Sequence, residues 1–492
     1  MKAVFAARAG ALLFGALGAF AMDFPMSLAV APDGRVLALS GGAKPSISVV
    51  NGAELPLPDA WLGLTVSPDG KNVYVGGGSR GVVYELSYAQ GELKLAREMK
   101  AADFVGDVTV SPDGRLIYAA DLFGNAVVVI NPQSGRVIDK FKTGRRPYRI
   151  LFHPDGRSYF ISSWADAAVY QYNATSGEEI GRIRVGPHPT DMVLSAYKPQ
   201  RDAGEPPIPW RYRLFVAAAN TNNVFVVGVG ENKTLNLMES IHVAPSRLSP
   251  LGMTPSALAL SPDQTRLYVA CSDADLIASV NVSDVRGVVD GFIPAGAYPA
   301  ALRTAGDRVW VANARANSVQ PLGDVAPVPA EREPSKLSPA AHVIYVVRDT
   351  EPEAVMRAVA GVAPDFTVKL GRRSNFDFGD PANLPPAGYL WTNAMAAGFT
   401  VRNYGILVRN GQAIDPAIRP FTKPDAAAFL EDLKQFEASG MMPRLIVIAD
   451  PSGDAIKAAL AKSRFAANTE IVVGDLRRVV ALLGLRPMTR KD

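Results

Sequence analysis

The chain has 492 residues, 51 Lys plus Arg against 47 Asp plus Glu, one cysteine and four histidines. A single cysteine excludes an internal disulfide, a paired-cysteine zinc or iron–sulfur site and c-type haem attachment. The formal balance of +4 makes no basic footprint for nucleic acid, and 48% hydrophobic content is that of a folded chain.

The first segment carries Lys2 and Arg8 ahead of an apolar, small-residue run, Ala9 to Ala21, which closes on Ala19-Phe20-Ala21. A basic start, a short apolar core and a small-x-small end predict a secretory signal peptide over 1–21, cleaved near Ala21. The run is shorter than the roughly 20 residues that span a bilayer. No cysteine follows it, so a lipid anchor is not expected. The expected product is periplasmic or secreted, has no membrane span, and keeps 49 basic against 47 acidic residues. Cys271 ends the apolar run from Leu267 and reads as a small core residue.

The next 300 residues or so repeat. Ala31-Pro-Asp-Gly34, Ser67-Pro-Asp-Gly70, Ser111-Pro-Asp-Gly114, His153-Pro-Asp-Gly156 and Ser261-Pro-Asp-Gln264 are copies of one turn. The wide gap before the last holds a further copy swollen by a polar, proline-rich insert near Lys198 to Trp210. A seventh follows at Ala305-Gly-Asp-Arg308. Each turn separates β-branched and aromatic runs, such as Phe104–Val110 and Leu116–Ala119, with no helical periodicity. Proline presets φ, the Asp side chain bonds the backbone ahead, and glycine accepts positive φ. Seven copies at a period of about 43 residues predict an all-β seven-bladed β-propeller over 22–325.

A second repeat lies at the joints between blades: Gly144-Arg-Arg-Pro-Tyr148, Gly186-Pro-His-Pro-Thr190, Gly252-Met-Thr-Pro-Ser256 and Gly296-Ala-Tyr-Pro-Ala300. In a four-stranded blade these joints share a face with the loops between second and third strands. The residues before the prolines, Arg146, His188, Thr254 and Tyr298, are therefore expected to ring the channel mouth. Asp121, Trp164, Asn220, Asp273 and Asn313 come from the other loops of that face. Loops on a rigid scaffold are where binding residues collect. This mixed ring carries no clustered metal or nucleophile set and predicts a recognition surface for a protein, peptide or glycan.

Ala326 to Pro339 is a Pro-, Ala- and charge-rich stretch, and 326–340 reads as a linker. Strands and helices then alternate over 341–492. The strands are His342–Val347, Thr400–Val408, Arg444–Ala449 and Glu470–Val473. The helices are Glu351–Ala360, Gly388–Ala397, Pro424–Ala438, Gly453–Lys462 and Leu476–Leu483. This order predicts an α/β domain with a largely parallel sheet, whose sites form at the carboxyl ends of strands. Asp349 and Asp450 stand there.

The chain resembles a family of exported bacterial proteins that fuse a seven-bladed YVTN-type propeller to a phosphoesterase domain of the alkaline-phosphatase superfamily. The residues that carry the resemblance are Gly291–Pro299, Ala341–Val347, Gly388–Trp391 with Arg402–Gly405, Met442–Ile448, Lys462–Phe465 and Gly484–Met488, in the family's order. The resemblance implies two metal ions that flank a phosphate ester and activate a Ser or Thr nucleophile. This chain departs from the pattern at nearly every chemical segment. The acidic–Asn pair falls on Asp349-Thr350, so only the acid is kept. The roughly 40 residues from Arg348 to Gly388 hold no nucleophile motif. The Asp-His-Thr position falls on Pro451–Ala455, which has no histidine, and the Asp/His-rich segment beyond Glu470–Val473 is missing. His342 is the domain's single histidine and lies outside the family's metal site. The module is therefore expected to be truncated and inactive. Asp349 is its vestigial metal candidate, with Asp450 or Asp454, and acids that start helices are the plainer reading.

Two functions of different class follow. One is a non-catalytic exported binding and scaffold protein with no cofactor. The alternative is a metal-dependent phosphoesterase, which would need a divalent cation. Lactone hydrolysis in the channel would need acidic metal ligands converging there, and the expected rim lacks them.

Overall fold

The computed structural model describes residues 19–200, 208, 210–244, 251–323, 342–370, 384–397, 399–409, 412–439, 442–485 and 487–488. The signal segment up to residue 18, the 326–340 linker and most of the Lys198–Trp210 insert lie outside these residues.

Seven four-stranded antiparallel sheets follow one another as blades. Their inner strands are Pro25–Val30, Leu64–Val66, Val105–Val110, Pro147–Phe152, Pro189–Ser195, Pro255–Leu260 and Pro299–Ala305. The Pro-Asp-Gly turns form as their chemistry dictates. Asp69 accepts from the Lys71 N–H at 3.1 Å and from Ser67 Oγ at 2.6 Å, and Asp113 and Asp263 repeat the arrangement. Gly70 and Gly114 take φ of 70° and 75°.

The last blade contributes only three consecutive strands, Pro299–Ala305, Arg308–Asn313 and Ser318–Pro321. Its outer strand is Phe20–Ala21, which pairs Phe20 with Val319 and Ala21 with Ser318. The ring is thus closed by the two residues that end the apolar N-terminal run.

Two recurring irregularities shape the blades. Inner strands break register beside their first residue, as between Pro147 and Arg149 or Pro189 and Met192. Such bulges re-aim side chains. Five outer strands carry one extra residue each: Ala96, Ile138, Ile180, Met238 and Asp290.

The C-terminal residues form a five-stranded parallel sheet in the order Thr422–Lys423, Val401–Tyr404, Leu445–Ala449, His342–Val347, Thr469–Val473. Near-continuous apolar strands such as HVIYVV are what a sheet covered on both faces requires. Along that strand Val343, Tyr345 and Val347 face helices Pro352–Ala360 and Leu476–Leu482. Ile344 and Val346 face helices Ala426–Ser439 and Asp454–Leu460. The first of these cores also takes in Tyr298, Ala300 and Ala314 of the last blade, so the α/β unit is packed directly onto the propeller.

The expected helices appear within two residues of their predicted ends, Leu390–Ala396 completing the set. The expected strand Thr400–Val408 is shorter, Val401–Tyr404. The Asn403 side chain bonds both backbone groups of Ile406, at 2.8 and 3.1 Å, and turns the chain over Gly405. One helix, Asp365–Leu370, has no counterpart in the sequence reading. Among the described residues no helix is long and apolar enough to cross a membrane.

Candidate functional site at the channel mouth

The residues before the joint prolines share one backbone state. Phe24, Arg146, His188, Thr254 and Tyr298 all lie at φ between 47° and 55°. Left-handed backbone at residues other than glycine costs of order 1–3 kcal/mol each and persists only where the surroundings over-determine it. Here each carbonyl accepts from the residue just past the second strand: Gly41, Trp164, Ala219, Ser272 and Ala314, at 2.8 to 3.1 Å. Blades two and three lack the proline and present Trp61 and Phe104 at the mouth instead.

The expected rim residues separate by register. Trp164, Asn220 and Asp273 lie beyond the ends of their strands and face the mouth. Trp164 packs on Tyr148, the ring centroids 4.1 Å apart, and the Asn220 amide donates to the Leu384 carbonyl at 2.5 Å. Thr254 donates to Asp273 at 2.8 Å, and Asn220 Nδ2 lies 3.3 Å from His188 Nε2. The Arg146 guanidinium lies over Phe123. Asp121 and Asn313 are different. They are the last residues of their strands and bond inside their own blades, Asp121 to Lys140 at 2.9 Å and Asn313 to Ser318 at 3.3 Å. In register they align with Ser163, Ala218 and Cys271, one residue short of Trp164 and two short of Asn220 and Asp273, and with their side chains bonded within the blade these two are struts and not rim groups.

The mouth is filled by the chain itself. Helix Asp365–Leu370 enters it and is almost wholly buried there. Phe366 sits in an aromatic cup with Trp61, Phe104, Tyr148 and Trp164, meeting Trp164 edge-on at 4.4 Å. The Trp61 indole N–H donates to the Lys369 carbonyl at 2.5 Å. The Lys369 ammonium pairs with Asp365 at 3.1 Å and donates to the Tyr148 hydroxyl, and the Tyr298 phenol donates to Asp365 at 3.0 Å. Burial raises Asp365 above the usual carboxylate range even against Lys369 and Tyr298. Burial likewise raises Tyr148 and Tyr298 well above an ordinary phenol, so both stay protonated, Tyr298 donating to Asp365 and Tyr148 accepting from Lys369. A second contact flanks this one. Arg357, on helix Pro352–Ala360, pairs with Asp273 at 2.6 Å and with Glu353 at 3.1 Å, and Arg315 of the last blade also pairs with Glu353. Blades one to four thus offer an aromatic half of the mouth, and blades six and seven a charged half.

Beneath the helix the channel holds a chain of buried charges from four inner strands. Asp107 pairs with Arg149 at 3.1 Å, Arg149 with Asp191 at 3.3 Å, and Asp191 with Arg303 at 3.1 Å. The Ile150 N–H donates to Asp107 at 2.8 Å and the Leu258 N–H to Asp191 at 3.1 Å. Burial raises Asp107. Burial also opposes ionisation of Asp191, but Arg303 and Arg149 outweigh it and hold that carboxyl low. These residues and Lys369 line a cavity of about 30 Å³, room for one or two waters. Acids do therefore converge on the channel, contrary to the expectation from the rim. Each is bound to arginine, which leaves no open carboxylate pair for a cation. The signal was in the sequence: single charges inside apolar inner-strand runs, as in Phe104-Val-Gly-Asp-Val-Thr-Val110.

At the carboxyl edge of the parallel sheet, Asp349 is exposed. Asp450 accepts from the Ser452 N–H at 3.0 Å, and hydrogen bonds from Ser452 and Gly453 hold it below the usual range. Asp454 lies 3.8 Å from Lys457, its side chain 80% exposed. Among the described residues no three His, Cys, Asp or Glu side chains are grouped to hold a metal, so this edge does not fit the two-metal centre that the resemblance implies.

No protein-family model matches the sequence, and no curated protein matches it. Solved structures resemble it in fold. Kuenenia stuttgartiensis hydrazine synthase aligns at 16% identity over 62% of this chain and 97% of its own, with a TM-score of 0.48. A Staphylococcus aureus virginiamycin B lyase aligns at 15% over 61% and 96%, TM-score 0.45. Pseudomonas aeruginosa periplasmic gluconolactonase aligns at 19% over 56% and 86%, TM-score 0.43.

Proposed function

We propose that the chain is an exported β-propeller binding and scaffold protein whose C-terminal α/β unit is a shortened, inactive phosphoesterase-like module. The observation that carries this reading is how the acids at the sheet's carboxyl edge are used. Asp450 shapes the turn before helix Asp454–Leu460, Asp454 stands in solvent beside Lys457, and Asp349 is exposed. Among the described residues no three His, Cys, Asp or Glu side chains are grouped there to hold a metal. The polar groups of the channel mouth support the same reading, since they dock the α/β unit onto the propeller.

The test is turnover of a generic phosphate ester with Mg, Mn, Zn or Ca supplied in turn. The expected result is no metal-dependent rate above background. Metal-dependent turnover that Asp349→Ala abolishes would establish the phosphoesterase instead. Affinity capture of the exported protein, with identification of what it binds, then names the partner class.

A further inference from the structure

We propose that the propeller mouth is a peptide-binding site, selective for an aromatic side chain followed three residues later by an ammonium group, and that the chain's own Asp365–Leu370 helix is its resident ligand. This rests on the reading of the propeller as a recognition module, and it does not depend on whether the α/β unit is active.

Three observations carry it. The first is the helix itself. Six residues, with Thr367 and Val368 β-branched, are too few and too poor in propensity to hold a helix alone. Its conformation is supplied by the propeller, as a bound peptide's is. The second is the division of chemistry at the mouth. Phe366 enters a cup of four aromatic rings drawn from three blades, and Trp61 holds the Lys369 carbonyl. Lys369 itself reaches the Tyr148 hydroxyl and the wall of the charged channel. Cup and ammonium pocket share only Tyr148, its ring in the cup and its hydroxyl against Lys369. Trp61, Phe104 and Trp164 meet the aromatic side chain while the charged channel wall meets the ammonium, so each ligand group is read by a separate set, which is the condition for sequence selectivity. The third is an imperfection. The Trp164 indole N–H is buried, its residue 1% exposed, and has no hydrogen-bond partner among the described residues. Buried donors are almost always paired. The resident helix therefore leaves one donor of its own cup unanswered, and a ligand with an acceptor beside its aromatic ring would answer it.

The resident segment competes at the high effective concentration of a tethered ligand, so the mouth reads as closed until that advantage is removed. The test uses the full chain carrying F366A and K369Q, and a fluorophore-labelled, end-blocked peptide of sequence Asp-Phe-Thr-Val-Lys-Leu, followed by anisotropy. The variant is expected to bind the peptide saturably and at least about tenfold more tightly than the unmodified chain. A peptide with Gln for Lys, or Ala for Phe, is expected to bind at least about tenfold more weakly. Equal binding to both chains, or binding indifferent to the two peptide changes, overturns the proposal. Should the double variant misfold by circular dichroism, hydrogen exchange on the unmodified chain decides. Exchange of 365–370 well ahead of the inner strands supports a displaceable ligand. Exchange only with global unfolding overturns it. Peptide binding with no partner captured leaves this site standing and removes only the scaffold reading.

Discussion

The Tyr298 phenol donates to the Asp365 carboxylate at 3.0 Å, so a residue held at positive φ by the last blade grips the first residue of the helix that fills the channel. Tyr298→Phe keeps the ring, which also lies beneath the Arg315 guanidinium, and removes only this donor. A buried carboxylate left short of a partner costs about 1–3 kcal/mol. The expected outcome is a loss of that size in urea unfolding, with faster exchange over 365–370. An unchanged midpoint would remove the bond from the account of docking.

Arg149 joins Asp107 and Asp191 in the channel. Arg149→Met strands the buried Asp107 carboxylate and leaves Asp191 with Arg303 alone, and is expected to cost about 3–5 kcal/mol. Adding Asp107→Asn should recover part of that loss, because one stranded charge disappears. Urea titration of the single and double variants checks it, and strict additivity would show that the two side chains are not coupled.

The outer strand of the last blade bears on export. A cut after Ala21 would remove Phe20 and Ala21, which pair with Val319 and Ser318. Under the proposed export the product is therefore expected to retain Phe20, with cleavage upstream of it. Mass spectrometry of the N-terminal peptide reads this directly. A chain starting at Met22 is expected to be less stable than one starting at Phe20 by about 1–2 kcal/mol, the worth of the lost strand bonds.

Asp155 gives a pH signature. Burial opposes its ionisation, but the Arg157 N–H, His153 and Lys233 prevail and lower it to about 2. A carboxyl depressed in the folded state adds stability above its unfolded value near 3.9, and the gain fades as pH falls through the folded value. With a side chain 34% exposed, the gain is of order 1 kcal/mol after solvent screening. Asp155→Asn is expected to lower the unfolding midpoint at pH 6, and the difference from the native chain should shrink steadily from about pH 4 downward. A difference independent of pH would assign the effect to the turn's geometry.

The blades were legible because each repeats a turn whose chemistry is local. Ser111, Asp113 and Gly114 settle their turn among themselves, with no help from distant residues. The mouth residues Arg146, His188, Thr254 and Tyr298 were legible for the same reason, as each precedes a joint proline. What covers them was not. Helix Asp365–Leu370 is stabilised by residues some 70 to 300 positions away, and no local pattern announces it. The closing strand was hidden because Phe20 and Ala21 also satisfy the composition of a signal segment. Asp121 and Asn313 end their strands one or two residues short of the positions that face the mouth, a distinction that loop-level reading cannot make.

The extra residues at Ala96, Ile138, Ile180, Met238 and Asp290 carry a last consequence. Each interrupts the hydrogen-bonding ladder of a blade's exposed rim strand, and several of these strands show apolar side chains to solvent, among them Leu95, Ile138, Ile180 and Leu237. A straight strand of that composition would invite a neighbouring molecule to add its own. A kinked one offers an incoming chain only a few residues in register before the match fails. Straightening one of these strands by deleting Ile138 is therefore expected to raise aggregation above that of the unmodified chain, as read by light scattering.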